Sequence, residues 1–384
     1  MKWLTLLAVA ILAVGCHGCE SGWVDIGGIC YGLFTESMPW ADARSFCQGH
    51  GGDLAKVADA DVLRKLYEYI MTYGLSGSYW LGASDLTFEG DWLWVQDNSR
   101  VDRGTPFWAI HSGLFGWDHE PSGGAEENCL VLDEARKYYF NDANCNLVFH
   151  PVCMVFIDIS TALTTQDEQL LVPHADKRKA GGSNIYRSSF VWQFISWQEG
   201  DGRELRPNDC KLIAHFWLYD SPTYLHVAIA MDTFDQTVFS ECSSQCETGW
   251  VELNSNCFYF HQETRMPWQD ARGFCQDLGG GDLAIIDKPN TLREIYKYLV
   301  KYDLHDPFWI GGSDIMAEGN WTWIDNSEIA RGTPFWALHN GLFGWSHEPS
   351  GGNEENCLAL DGERKFYFND HNCNDVLHPI CMML

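Results

Sequence analysis

The chain has 384 residues, of which 14% are aromatic, and it carries a formal net charge of −28 at pH 7. This length predicts two or three domains, each with enough aromatic residues to fill a core. The acidic balance argues against a nucleic-acid partner, because a duplex is met by a basic surface. The charge either serves solubility or attracts divalent cations.

Residues 1–18 have the composition of a cleaved signal peptide. One lysine precedes an apolar run from Leu4 to Val14, which is too short to span a bilayer, and small residues follow it. Cleavage after Gly18 would remove Cys16 and leave an even number of cysteines, whereas cleavage after Gly15 would leave an odd thiol. We therefore expect a secreted, extracellular protein without a membrane span and with its cysteines in disulfides.

Six cysteines recur in the same order in the two halves of the chain. Their offset is 227 residues for the first two pairs and 228 for the others, which indicates a tandem duplication. It predicts one domain at 19–155 and another at 242–384. The cysteines are Cys19, Cys30, Cys47, Cys129, Cys145 and Cys153 in the first copy, and Cys246, Cys257, Cys275, Cys357, Cys373 and Cys381 in the second.

The predicted elements follow one order in both copies. A cysteine-bounded hairpin, at 22–31 or 249–258, precedes a helix that contains the third cysteine. A second helix, a buried strand at 80–82 or 309–311, a long loop region and two closing strands follow. The second helices are indicated by apolar residues at helical spacing: Leu63, Leu66, Tyr67 and Ile70, and Leu292, Ile295, Tyr296 and Leu299.

Both helices precede most of the strands, so the predicted fold class is α+β with antiparallel sheets. Thr291 and Glu294 have the spacing of a capping box at the start of the later helix. The connecting segment, 156–241, has no internal copy. Its second half contains apolar, β-like runs, which favour a small β unit with Cys210 and Cys242 as its disulfide.

Several motifs in each copy together resemble the long-form C-type lectin-like domain. They are Trp-x-x-Ala-x-x-x-Cys, Gly-Gly-Asp-Leu-Ala, Trp-Leu/Ile-Gly, a pair of tryptophans, Glu-Pro-Ser and Asn-Asp. Spacing alone leaves fifteen pairings of six cysteines open. The resemblance implies three pairs per domain: Cys19–Cys30, Cys47–Cys153 and Cys129–Cys145, then Cys246–Cys257, Cys275–Cys381 and Cys357–Cys373.

The resemblance also implies calcium as the cofactor, and calcium prefers oxygen donors of the kind found here. In sugar-binding members, two vicinal hydroxyls complete the metal shell and bond to the same Glu, Asn and Ser groups. The implied metal ligands are Glu120, Ser122, Glu127, Asn141 and Asp142, and Glu348, Ser350, Glu355, Asn369 and Asp370. All of these except the two aspartates are also implied to bind carbohydrate. Pro121 and Pro349 occupy the position of the family's cis proline.

The Glu-Pro-Ser triplet departs from the family's pattern. Mannose-type members usually have Glu-Pro-Asn and galactose-type members Gln-Pro-Asp. Because serine is shorter than asparagine, we predict weaker calcium binding and a relaxed sugar choice, leaning to equatorial diols such as mannose or GlcNAc. The structural alternative is a solvated acidic loop. Phe140 and Phe368 replace the usual tryptophan, which we interpret as a neutral core change.

An auxiliary calcium site is matched only in part. The matching residues are Asp85, Glu89 and Asn128, and Asp314, Glu318 and Asn356. Gly123 and Gly351 stand where a side-chain ligand is common in the family. Metal binding requires ionised carboxylates, so calcium and glycan binding should weaken as the pH falls through their titration range.

The loop between His111 and His119, repeated between His339 and His347, precedes each triplet. Its aromatic residues either stack on a sugar face or are buried beneath the loop; they are Phe115, Trp117, Phe343 and Trp345. The histidines of each loop lack a third zinc ligand at suitable spacing, which disfavours a zinc site. Asn320 begins the only glycosylation sequon, and its proximity to a strand leaves its occupancy open.

No arrangement typical of a nucleophile and its base is present, so we expect no enzymatic activity. The leading hypothesis is a secreted, calcium-dependent carbohydrate-binding protein that recognises glycans on microbial or cell surfaces in innate immunity. Two domains would gain avidity on a repeating surface. Self-association is left open. The alternatives are an acidic matrix or mineral-associated protein that does not read sugar, and a protein-binding module with a vestigial calcium site.

Overall fold

The computed structural model describes residues 19–113, 116–156, 246–341 and 344–383. All of them belong to one compact unit, which contains two domains of the same topology. The predicted signal peptide and connecting segment, including Cys210 and Cys242, lie outside the described residues. No helix in the described ranges is long and apolar enough to cross a membrane.

The first domain contains two helices and ten strands within its described residues. The helices are α1 (Trp40–Gly49) and α2 (Ala60–Thr72). The strands are β1 (Trp23–Ile26), β2 (Ile29–Leu33), β3 (Asp53–Leu54), β4 (Tyr79–Ser84), β5 (Leu93–Trp94), β6 (Ile110–Gly113), β7 (Gly116–His119), β8 (Cys129–Asp133), β9 (Tyr139–Ala143) and β10 (His150–Phe156).

The second domain repeats this series. Its helices are α3 (Trp268–Asp277) and α4 (Pro289–Lys301). Its strands are β11 (Val251–Leu253), β12 (Asn256–Phe260), β13 (Gly281–Leu283), β14 (Phe308–Ser313), β15 (Thr322–Trp323), β16 (Leu338–Gly341), β17 (Gly344–His347), β18 (Cys357–Asp361), β19 (Tyr367–His371) and β20 (His378–Met383).

The main sheet of the first domain has the order β1-β2-β10-β4-β8-β9, with β3 on β10 and β5 on β4. Its pairs are antiparallel except β10 with β4, which is parallel. The α+β class with two helices per domain is confirmed. The prediction of two closing strands is wrong, because three strands follow the loop region and a hairpin, β6–β7, lies within it.

The helical pattern of α2 predicts its packing correctly. Leu63, Leu66 and Ile70 lie on one face and are fully buried in the first core. The predicted capping box in α4 is wrong: the helix begins at Pro289, and Thr291 is buried inside its first turn. Asn254 Nδ2 donates a hydrogen bond to Thr291 Oγ1 at 2.8 Å, so the threonine side chain makes a tertiary contact.

Three disulfides close each domain, and they join the pairs that the resemblance implies. Cys47–Cys153 ties α1 to β10, and Cys129–Cys145 closes the strands beside the loop region. Phe140, the second residue of β9, is fully buried against Phe107 and Trp108. The disulfide pairs are Cys19–Cys30, Cys47–Cys153, Cys129–Cys145, Cys246–Cys257, Cys275–Cys381 and Cys357–Cys373.

The two domains contact each other through equivalent surfaces. Tyr139 Oη donates to the carbonyl oxygen of Trp336 at 2.6 Å, and Tyr367 Oη donates to that of Trp108 at the same distance. Burial raises the pKa of both tyrosines well above the ordinary value, so both remain donors. Each contact is returned by its counterpart, which is the signature of a pseudo-two-fold interface.

Candidate functional site

The local fold determines where each Glu-Pro-Ser triplet lies. Strand β7 leads directly into Glu120, whose amide donates to the carbonyl oxygen of Ala109 at 2.8 Å. The Glu120–Pro121 peptide is cis, and so is Glu348–Pro349 in the second domain. The triplet therefore follows the β6–β7 hairpin and faces the end of β9.

The glutamate of each triplet is buried, with a relative exposure of 2% for Glu120 and 3% for Glu348. Glu120 Oε1 lies 3.1 Å from Arg136 Nη2 and 3.5 Å from His111 Nδ1. Its other oxygen, Oε2, is buried and has no hydrogen-bond partner among the described residues. One oxygen is thus neutralised by an arginine, while the other is buried without a hydrogen-bond partner in the described part of the chain.

The second domain repeats this arrangement. Glu348 Oε1 lies 3.4 Å from both Arg364 Nη1 and His339 Nδ1. Its Oε2 is likewise buried without a hydrogen-bond partner in the described ranges. No motif in the sequence singles out Arg136 or Arg364; the available signal is their recurrence at the same place in both copies.

The aspartate of each Asn-Asp pair orders the loop after the triplet. Asp142 is buried, and its two carboxylate oxygens accept from the amides of Ser122 at 3.2 Å and Gly123 at 2.6 Å. Asp370 makes the same contacts to Ser350 and Gly351. Backbone amides thus hold this carboxylate beside the loop.

The asparagine of the pair points elsewhere. Neighbouring residues of a strand project to opposite faces, and Asn141 Nδ2 donates to Asp133 Oδ2 at 3.1 Å. Asn369 donates in the same way to Asp361 at 3.0 Å. The structure therefore groups Ser122 and Asp142 at the loop, while Asn141 and Glu120 have separate partners.

In the second domain, acidic residues of both predicted sites line one pocket of about 200 Å³. Asp314 and Glu318, from the auxiliary set, lie there with Glu355 and Asp370, from the principal set. The lining residues are Asp314, Glu318, Gly319, Trp321, Arg331, Pro349, Ser350, Gly352, Glu355 and Asp370. Members of both predicted ligand sets therefore share this pocket, whose lining does not include Glu348, Asn369 or Asn356, and Arg331 adds a positive charge to it.

The auxiliary residues differ in their surroundings. Asp85 is buried, with one oxygen accepting from the amide of Gly90 at 2.8 Å and Oδ1 without a hydrogen-bond partner among the described residues. Glu89 is exposed, and Asn128 Nδ2 donates to the backbone carbonyl of Ala125 at 2.9 Å. Asp314, Glu318 and Asn356 repeat this pattern.

Burial and mutual repulsion raise the pKa of two of the predicted acidic ligands in the first domain. Burial, followed by repulsion from Asp142 and Glu120, raises the pKa of Glu127 above its ordinary value. Burial, opposed by the Gly90 amide and reinforced by Asp142, raises the pKa of Asp85. Carboxylates that repel one another are stabilised by a bound cation.

The donor chemistry fits calcium. Buried carboxylate oxygens of Asp85, Glu120, Asp314 and Glu348 have no hydrogen-bond partner in the described part of the chain, and calcium takes such hard oxygens. In the described residues, however, no three His, Cys, Asp or Glu side chains already converge as a metal site. Calcium binding would therefore need side chains such as Glu127 to turn toward one point.

The hairpin residues have partners of their own. Trp117 is half-buried against Trp345, with ring centroids 5.8 Å apart, while Phe115 and Phe343 lie outside the described residues. His119 Nε2 lies 3.1 Å from Thr105 Oγ1, and burial lowers its pKa to about 3. His111 and His119 thus contact different groups, Glu120 and Thr105.

The predicted glycosylation site is accessible. Asn320 is exposed, just before the short strand β15. Its occupancy stays a prediction.

Each domain has two helices, three disulfides and a loop with acidic side chains around a Glu-Pro-Ser triplet. Together these features define a protein with two C-type lectin domains. The family described as Lectin C-type domain matches residues 36–155 and 264–383, which is more than half of the chain. The chain therefore belongs to the C-type lectin family.

Curated relatives match parts of the chain. Perlucin-like protein of Mytilus galloprovincialis is 33% identical over 135 residues, which cover 33% of this chain and 76% of that protein. C-type lectin lectoxin-Lio3 of Erythrolamprus poecilogyrus is 33% identical over 159 residues, which cover 39% of this chain and 89% of that protein. For asialoglycoprotein receptor 2 of Mus musculus, 26% identity over 201 residues covers 52% of this chain and 60% of the receptor.

Among solved structures, the carbohydrate-recognition domain of mouse scavenger receptor C-type lectin is 21% identical, with a TM-score of 0.28. The match covers 36% of this chain and 96% of the mouse domain.

Proposed function

We propose that the protein is a secreted carbohydrate-binding protein in which each domain binds sugar with the help of calcium. One observation carries this proposal: in both domains the triplet glutamate is buried, with one oxygen paired and the other without a partner among the described residues. Such an oxygen offers an acceptor to a cation or to a sugar hydroxyl. Six disulfides suit an oxidising, extracellular compartment.

Calcium, when bound, would supply coordination sites for two vicinal sugar hydroxyls. The residues that would hold it are Glu120, Ser122, Glu127, Asn141 and Asp142, with Glu348, Ser350, Glu355, Asn369 and Asp370 in the second domain. The glutamate-first order of the triplet favours equatorial diols such as mannose or GlcNAc. Two sites on one chain gain avidity on a repeating glycan surface, which suits pattern recognition or agglutination in innate immunity.

The test is a glycan array of the full chain, run with calcium and again with a chelator. Glu120→Gln/Glu348→Gln is the test variant, and Glu126→Gln/Glu354→Gln, which changes two exposed residues of the same loops, is its matched control. We expect calcium-dependent binding that is lost in the test variant and kept in the control.

Binding that survives the chelator would contradict the role of calcium. Silence of the folded protein under both conditions would overturn sugar binding and favour an acidic matrix or mineral-associated role.

A further inference from the structure

The interface between the domains reaches the two triplet glutamates. The guanidinium carbon of Arg136 lies 4.3 Å from the ring centroid of Trp345, in the other domain. Arg364 lies 4.2 Å from the ring centroid of Trp117 in the same way. Since Trp117 and Trp345 also touch, edge to face at an interplanar angle of 75°, the four side chains form one continuous row of contacts, which we call the cross-domain ladder (Arg136, Trp345, Trp117, Arg364).

Each end of the ladder is attached to a triplet. Arg136 is held by its own domain on two sides, by Glu120 Oε1 at 3.1 Å and by the carbonyl oxygen of Ile110 at 3.0 Å. Trp345 covers its remaining face. The arginine side chain is only 19% exposed, so these contacts define its position and thereby the position of the Glu120 carboxylate.

The tryptophans of the cross-domain ladder pack against a small buried core. Equivalent residues of both domains form this core, and the tyrosine hydroxyls cross between the domains. The core residues are Ala109, Ile110, Tyr139, Ala337, Leu338 and Tyr367. The hairpins that carry Trp117 and Trp345 therefore pack on one shared core.

We propose that Trp345 and Trp117 are positioning residues for the binding site of the opposite domain. Trp345 holds Arg136, which holds Glu120 Oε1 and leaves Oε2 free for a ligand; Trp117 does the same for Glu348 through Arg364. Without the tryptophan, the arginine is free to move onto the open oxygen or away from the carboxylate. The two binding sites are then coupled through the domain interface, and neither is complete without the other domain.

The first measurement tests the positioning and needs no ligand. Thermal unfolding of the full chain in chelator is compared for Trp345→Leu, Glu120→Gln and the double variant. Trp345 and Glu120 belong to different domains and are linked through Arg136, so we expect the double variant to lose less than the sum of the single losses, by about 2 °C or more in Tm. The control cycle, Trp345→Leu with the exposed Glu126→Gln, should be additive.

The second measurement tests the consequence for binding. The site of the second domain is first silenced with Glu355→Gln/Asp370→Asn, and calcium alone is titrated calorimetrically into the full chain. Trp345→Leu should then weaken calcium binding at the first domain on the order of three- to tenfold, in line with the loss of one cation–π contact. Trp345→Phe, which keeps an aromatic face for Arg136, should restore most of the affinity.

The binding part of this inference rests on the proposed function, and the two measurements separate their failures. Additive losses in the first measurement overturn the positioning, whatever the ligand. If the Tm losses are not additive but Trp345→Leu leaves the calcium affinity unchanged, Trp345 positions Glu120 without affecting calcium binding, and that part of the inference is overturned. If the parent chain binds no calcium, the role proposed for calcium fails, and the unfolding cycle alone then decides whether Trp345 positions Glu120.

Discussion

At the scale of single residues, Gly123 and Gly351 show how a missing side chain shapes the site. A Cβ atom on Gly123 would collide with Glu127, whose carboxylate oxygen Oε2 occupies that space. Gly351 and Glu355 repeat the contact. The glycines thus make room for the glutamates that the resemblance names as metal ligands.

We predict that Gly123→Ala/Gly351→Ala weakens calcium binding roughly tenfold, because the added methyl groups displace Glu127 and Glu355 and calcium loses a charged ligand in each domain. Calorimetric titration measures the change. The added methyl groups also meet the Cβ atoms of Glu127 and Glu355, so these partly exposed loops must shift locally. Ala125→Ser, at an exposed position of the same turn, is the control. An unchanged affinity would mean that Glu127 and Glu355 do not bind the ion.

For the serine of the triplet, we predict a substitution that tightens calcium binding. Ser122 and Ser350 are exposed, so a longer side chain fits there without repacking. Asparagine would bring a carbonyl oxygen closer to the site, and we expect Ser122→Asn/Ser350→Asn to tighten calcium binding roughly three- to tenfold. Calcium titration checks this, with Ser122→Ala/Ser350→Ala as the variant that should not gain affinity. A failure to tighten would argue against the serine as the weak ligand.

At the scale of elements, α2 and α4 pack against each other across the pseudo-two-fold axis, but their ion pairs differ. Arg293 of α4 pairs with Asp102 of the first domain, with Nε 2.7 Å from Oδ2. Arg64 of α2 instead donates to the carbonyl oxygens of Arg331 and Thr333. The difference arises because Ala330 occupies the position equivalent to Asp102.

This ion pair predicts a pH dependence of stability. Burial opposes ionisation of Asp102, yet Arg293 and Lys297 hold its pKa below the ordinary value of 3.8. A lowered folded-state pKa means that the pair stabilises the protein above the ordinary value and that this contribution is lost as the pH falls through the lowered value. Asp102→Asn should therefore cost about 1 kcal/mol near neutral pH and progressively less in acid.

Thermal unfolding at about pH 7 and about pH 2.5 measures this difference between the parent and Asp102→Asn. Asp91→Asn is the matched control, because its partner Arg100 lies in the same domain and is highly exposed. The control should change Tm little at either pH. An equal loss for Asp102→Asn at both pH values would show that charge is not the cause.

At the scale of the whole molecule, we expect the two domains to unfold together, because their contact is buried and reciprocal. Thr105 Oγ1 donates to the carbonyl oxygen of Lys365 at 2.6 Å, and Thr333 Oγ1 donates to that of Lys137 at 2.5 Å. Together with the tyrosine bonds, these contacts satisfy backbone carbonyls from both sides of the interface. Removing a donor leaves a buried acceptor unsatisfied, which costs more than a typical hydrogen bond gains.

We predict that Tyr139→Phe/Tyr367→Phe lowers the free energy of unfolding by about 2 kcal/mol, because each change leaves one buried carbonyl oxygen without its hydrogen-bond donor. Denaturant unfolding of the full chain measures the loss. Tyr138→Phe is the control, because its hydroxyl contacts the carbonyl oxygen of Leu75, at 3.4 Å, and the side chain of Glu134, both within the first domain. A control loss as large as that of the double variant would place the effect outside the interface.

The sequence predicted the local features well. Helical spacing indicated the buried face of α2, and the resemblance implied disulfides such as Cys47–Cys153, which the structure contains. These features depend on neighbours along the chain or on motifs that recur intact in both copies. The predicted capping box at Thr291 is wrong because the helix begins earlier, at Pro289, and the Thr291 hydroxyl accepts a hydrogen bond from Asn254 instead.

The sequence predicted the composition of the candidate site but not its geometry. Sequence determined which oxygen donors are available, because carboxylates and amides recur together around each triplet. Only the tertiary structure decided that Asn141 turns to Asp133, that Arg136 neutralises one oxygen of Glu120, and that Trp345 of the other domain covers this arginine. The physical reason is that side-chain direction and domain packing depend on residues far apart in sequence, which no local pattern records.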